Sequence, residues 1–381
     1  MNRVAVNPAL LRWARARSGR SAQGLQEKFP KLEAWERGEV QPTLKQLEQF
    51  AKATRTPVGY LFLQEPPVER VPIPDFRTLA GAPTERPSPD LLDTIYLCQQ
   101  RQEWYREFAR TMREEPLGFV GSARVTDDVV ATAAAMRHAL GFDLDERRRF
   151  QTWTEALRRF IEQADGLGIL VMLSGVVGSN NRRKLDPEEF RGFALADELA
   201  PLVFVNGSDT KAAQMFTLAH EVAHLWLGQT ALSDTQPSEV PQHRVERWCN
   251  QVAAELLVPL ESLRTSLDRN GALAEEVDRL ARRFKVSTLV ILRRIHDAGG
   301  ITHQQFQAAY EAELERLRAI PRTSGGDFYL TLGARVGKTF ARALVVSTLE
   351  GRTSFTEALR LLGFKKMATF RELGASLGVG F

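Results

Sequence analysis

His220 and His224 stand one helical turn apart, with Glu221 directly after the first, in the run Phe216-Thr-Leu-Ala-His-Glu-Val-Ala-His-Leu-Trp226. On a helix, residues at this spacing lie one above the other, so both imidazoles project from one face and can share a tetrahedral metal ion. Glu221 is turned by about 100° around the helix from His220. From there its carboxylate can reach a metal-bound water without joining the ligands. A set of nitrogens completed by one carboxylate selects Zn2+ and leaves a position open for solvent. The chemistry this predicts is peptide hydrolysis, with Glu221 as general base for water and as proton carrier to the leaving amine.

The third ligand has to arrive from a second element. Glu239, His243, Glu246 and Glu255 all follow downstream, and the run from His243 to Val258 reads as a helix ending at Pro259. Glu246 shares a stripe with Cys249, Asn250 and Ala253, small or polar residues that let the helix approach closely. Glu255, nine residues on, points to the opposite side. Glu246 is therefore the expected third ligand. The plainer alternatives are two core histidines on an ordinary buried helix and an exposed Glu246 paired with Arg244 or Arg247.

These residues need a scaffold, and the hydrophobic pattern supplies one. Asn7 before Pro8, and Thr43 followed by Gln46, are helix starts in an N-terminal segment of short helices. Prolines from Pro66 to Pro89 then preclude regular structure. Helices are expected from Ser88–Pro89 to about Glu114, from near Thr126, and from Thr152 to Ala164, with Trp104, Tyr105, Phe108 and Trp153 as core. From Gly168 the pattern changes. Gly168–Leu173, Phe190–Leu195 and Pro201–Val205 read as strands, and a strong helix starts near Thr210. Beyond Pro259 the chain reads as helical, broken at Gly271, Gly299–Gly300 and Gly325–Gly326. The fold class is α+β and mostly helical. The expected domains are 1–66, a proline-rich and helical region 67–165, the catalytic domain 166–300, and a helical C-terminal region 301–381.

Bulk composition narrows the class further. The 381 residues are 43% hydrophobic and 26% charged, with a net charge of +4, and apolar runs are too short to span a bilayer. Cys98 and Cys249 are too few for a disulfide framework. With no secretory leader before Asn7–Pro8, the expected location is the cytoplasm, with no membrane partner.

Several blocks in order now resemble the ImmA/IrrE family of metallopeptidases: Phe190-Arg-Gly-Phe-Ala-Leu195, Pro201-Leu-Val-Phe-Val-Asn206, Phe216–His224 and Glu246–Pro259. The resemblance covers about Gly168 to Gly300 and implies a zincin-like fold with zinc on His220, His224 and Glu246 and catalysis by Glu221. It also implies a protein substrate of repressor or antitoxin type, cleaved during stress or mobile-element activation. Gluzincin-like geometry further suggests that the strand Phe190–Leu195 offers an edge that aligns an extended peptide. The N-terminal segment resembles a Cro/repressor (XRE) helix-turn-helix through Leu10–Arg17, Glu33-Ala-Trp-Glu-Arg-Gly38 and Leu61–Leu63, although Leu25 to Glu36 is about four residues short. That departure leaves DNA binding, with Lys31 and Arg37 as contacts, open against protein docking or dimerisation. A second helix-turn-helix-like stretch, Leu280–Ile295, offers Arg282, Arg283, Lys285, Arg293 and Arg294 to phosphate. Its alternative is a structural pair completing the peptidase. The rival functional reading is a DNA-binding regulator or antitoxin whose metal site only shapes the fold.

Overall fold

The computed structural model describes residues 3–77, 86–233, 243–319 and 333–380. It forms two compact units, one of residues 3–72 and 86–95, the other of 73–77 and everything described from 96 onward.

The first unit is helical. Asn7 accepts from the Ala9 amide to cap α1 (Pro8–Arg17), and a full capping box between Thr43 and Gln46 opens α4 (Leu44–Thr54). Between them lie two short helices, α2 (Ala22–Lys28) and α3 (Leu32–Glu36). Leu10, Leu25, Leu32, Trp35, Leu47 and Phe50 converge as its core. With only five residues, α3 spends Leu32 and Trp35 on that core.

The second unit is built around a four-stranded mixed sheet in the order β1-β3-β2-β4. Its strands are β1 (Leu170–Ser174), β2 (Gly192–Leu195), β3 (Leu202–Asn206) and β4 (Ala231–Ser233). β1 runs parallel to β3, while β2 is antiparallel to both β3 and β4. β2, β3 and β4 are buried along their whole length, which is why β2 and β3 read as continuous apolar runs rather than alternating ones. Two helices carry the site. α9 (Lys211–Trp226) is capped by Thr210 and is buried from Gln214 to Trp226. α10 (Arg244–Leu257) lies against it.

One continuous core joins residues from Ala123 to Tyr310. The boundaries expected at 166 and 300 therefore fall inside a single unit. The helices α6 (Val129–Leu140) and α8 (Trp153–Gly166) supply Met136, Leu140 and Phe160 to that core. From the other side α12 (Leu273–Phe284) and α13 (Thr288–Asp297) add Leu280, Phe284 and Ile291. A short helix, α7 (Leu144–Arg149), lay outside the sequence expectation because its run Leu-Asp-Glu-Arg-Arg-Arg has no apolar stripe. The expected break at Gly325–Gly326 lies outside the described residues. Among the described residues no helix is long and apolar enough to cross a membrane.

Candidate metal centre

α9 positions two of the ligands and α10 the third. Nε2 of His220 and Nε2 of His224 approach to 3.0 Å. The Glu246 carboxylate, in the first turn of α10, completes the cluster at 3.2 Å from His220 Nε2 and 3.0 Å from His224 Nε2. The helices come this close because Cys249 and Ala253, on the stripe of Glu246, are small and fully buried. A carboxylate in the first turn of a helix is also favoured by the positive end of its dipole. His220, Glu221 and His224 are each 0% exposed and Glu246 is 1% exposed.

The donor set fits a divalent cation. Among the described residues neither Glu246 oxygen receives a hydrogen bond, and both histidine Nδ1 atoms are buried without a partner. Acceptor atoms packed together in a solvent-excluded interior repel one another unless positive charge sits among them. Two imidazole nitrogens and a carboxylate are the ligand types of a zinc site with an open position. Burial works to raise the Glu246 carboxyl, but the His220 and His224 rings more than offset it and hold it at about 2. It is the anionic form, the one that binds metal. Burial lowers His224 towards its neutral, ligating form.

Glu221 shows the opposite behaviour. Burial first, and then the charge of Glu246, push its carboxyl well above the ordinary range, with the Ser233 hydroxyl pulling the other way. A carboxyl tuned upward beside a metal cluster suits proton transfer. Glu221 is seated by Gly192 of β2. A Cβ there would meet Thr217 Cγ2 at 2.6 Å, the Phe204 carbonyl oxygen at 2.8 Å and Glu221 Cγ at 3.2 Å. Only a residue without a side chain lets α9 lie this near the sheet. Ser233 of β4 joins the site as well, with its Oγ 3.1 Å from His224 Nε2. Neither Gly192 nor Ser233 was expected from the sequence. The glycine within an otherwise apolar strand was the available signal.

Other sequence expectations are corrected or resolved by placement. β2 is not an edge: it lies between β3 and β4 and is paired on both sides. Glu255 does point away from the site, where it pairs with Arg294. Glu239 lies outside the described residues, and His243 packs against Phe76 at a tilt rather than joining the cluster. Lys285 is 6% exposed, with its ammonium 5.6 Å from the Trp153 ring centroid, and Arg294 is 5% exposed. Neither is at the surface to meet phosphate. Arg283 packs over Phe284, while Arg282 is exposed and donates to the Asp278 carbonyl. α12 and α13 instead complete the core, as a structural pair would. In the first unit Lys31 is exposed just before α3, and exposed Arg37 pairs with Glu39 at 2.8 Å.

A helix bearing His-Glu-x-x-His, a carboxylate from the next helix and a small mixed sheet are the parts from which metallopeptidase sites are built. Residues 164–296 match the family model of the IrrE N-terminal-like domain, and in this region the chain is similar to the ImmA/IrrE family. Residues 336–376 match a second family model, a domain of unknown function. The chain is 35% identical over 91 residues to the radiation response metalloprotease IrrE of Deinococcus deserti, a match covering 23% of this chain and 32% of that protein. It is 32% identical over 91 residues to its counterpart in Deinococcus radiodurans, covering 23% and 28%. The match thus spans about a third of those relatives.

Proposed function

We propose that this chain is a zinc-dependent endopeptidase that regulates by cutting a protein partner of repressor or antitoxin type. The observation that carries the reading is the convergence of His220, His224 and Glu246 in one buried cluster, with Glu221 beside it. The relatives' name as metalloproteases supports it, and their name as radiation response proteins supports a role in stress.

A zinc ion, when bound, polarises water and the scissile carbonyl. His220 and His224 would hold it through Nε2 and Glu246 through its carboxylate. Glu221 accepts the proton of the attacking water and delivers it to the leaving amine nitrogen, a transfer made easier by its raised affinity for protons. Gly192 fixes where Glu221 stands by letting α9 rest directly on β2. The first unit, helix-turn-helix-like in sequence, would dock the partner or DNA, with Lys31 and Arg37 exposed for contact.

A second reading has one observation in its favour. Ligand side chains with almost no exposure also suit a structural metal in a DNA-binding regulator. Co-expression with the protein encoded by the adjacent gene separates the two. Wild type should shorten that partner, and Glu221→Gln should slow cleavage by about a hundredfold to ten-thousandfold. A partner of equal size and amount in both strains would remove the peptidase reading.

A further inference from the structure

The sheet edge nearest the metal cluster is β4, and it is already occupied. Ser233 and Ala231 pair inward with Gly192 and Ala194 of β2. Strand groups alternate in direction, so Leu232 between them turns its N–H and C=O to the outer edge. Both are taken by a segment of the same unit. The Phe76 amide donates to the Leu232 carbonyl at 2.9 Å, and the Leu232 amide donates to the Pro74 carbonyl at 2.9 Å. The adjacent residue, Ser233, is the one that touches His224. An extended peptide brought to the site by strand addition needs the same two groups of Leu232.

The occupant is also anchored and aimed. Arg77, 9% exposed, donates from Nε and Nη2 to the Asp75 carboxylate at 2.9 and 2.7 Å, and from Nη1 to the Glu189 carbonyl at 3.1 Å. Between them Phe76 lies parallel to the His224 ring, at 8° and 6.4 Å between centroids, and rests on His243 at 4.4 Å. An aromatic ring therefore covers a ligand histidine. Beneath it the side chains of the cluster have essentially no contact with solvent.

We propose that Pro74–Arg77 is an internal ligand of the peptidase cleft, filling the β4 edge and capping His224 with Phe76, so that the site opens to a substrate chain only when this segment lifts away. The occupancy is independent of catalysis; only the identity of what replaces it, an extended peptide, rests on the peptidase reading.

The test uses the full, zinc-loaded chain with Phe76→Ala and Arg77→Ala, one removing the cap and the other the anchor. The first readout is the rate at which the chromogenic chelator 4-(2-pyridylazo)resorcinol strips zinc. Both variants should keep one zinc per chain and lose it about tenfold faster than wild type, because the closed population falls. The second readout is cleavage of unfolded casein, expected to rise by a similar factor. Faster stripping with no cleavage by any form would support the internal ligand and remove the peptidase reading. Unchanged stripping, or wild-type cleavage as fast as that of the variants, would overturn the internal ligand. Hydrogen exchange on wild type is independent of how the variants fold. The Phe76 and Leu232 amides should be protected to a similar degree, and exchange of both at unprotected rates would overturn the proposal.

Discussion

The two ends of α10 each bury a glutamate, and the protein answers them differently. Glu255, 4% exposed, meets the guanidinium of Arg294 and accepts from the Leu260 amide at 3.3 Å, while Arg294 also donates to the Val258 carbonyl. Its charge is balanced inside the fold. Glu246, 1% exposed, has no hydrogen-bond donor among the described residues and faces two imidazole nitrogens. Set against two imidazole rings alone, a buried carboxylate lacks the charge balance that Glu255 has, and a cation from outside would complete it. One helix thus shows a structural carboxylate and a metal-seeking one, told apart by what lies opposite each.

Breaking the structural end should have the largest effect on stability. Among the described residues, Glu255→Ala leaves the buried Arg294 guanidinium with only the Val258 carbonyl and the more distant Asp297 carboxylate at 3.6 Å, and should lower the unfolding free energy by about 1.5–3 kcal/mol in denaturant titration. Zinc content should stay at one per chain. Adding Arg294→Met should restore part of the loss, since the under-compensated buried charge goes with it. A single variant as stable as wild type would erase the contrast between the two ends.

The next effect sharpens the functional end. Gly192→Ala forces a Cβ against Thr217, the Phe204 carbonyl and the Glu221 stem. Overpacking of this kind costs about 1–3 kcal/mol. Because Glu221 is among the displaced atoms, cleavage should fall by at least about tenfold at temperatures where the variant remains folded. Stability and cleavage both unchanged would mean that α9 does not depend on that contact.

The smallest effect concerns the two thiols. Burial pushes Cys98 up to about 12, against the opposing pull of Arg101, and burial with Glu246 and Glu221 raises Cys249 well above the usual thiol range. A raised value keeps the unreactive thiol form as pH climbs past the ordinary thiol value of about 8.5. Native protein should therefore give no reaction with a thiol reagent up to pH of about 9, whereas denatured protein should titrate both residues. Rapid reaction of Cys249 in the native protein would show that the packing between α9 and α10 is open.

The sequence made the metal cluster legible because helical phase alone decides which residues share a face. His220 with His224, and Glu246 rather than Glu255, follow from that geometry before any tertiary contact is known. What escaped it depends on pairing between distant segments. β4 has three residues, too few to carry a pattern, yet its addition turns β2 from an edge into an interior strand. Gly192 matters because α9 lies on it, and Phe76 because Pro74 and Leu232 meet across the sheet. Lys285 and Arg294 read as surface charge, since nothing local reveals that Trp153 and Glu255 come round to cover them. Helices before and after the sheet share one core, so the described residues form two units, while the family match over 164–296 lies close to the expected catalytic domain 166–300.

Zinc analysis across the two ends of α10 tests the central claim most directly. Purified wild-type and Glu255→Gln proteins should each carry about one zinc per chain, as a site with three protein ligands requires. Glu246→Ala, folded to the same extent by circular dichroism, should carry almost none. Full zinc retention in Glu246→Ala, or no zinc in wild type reconstituted with the metal, would contradict it.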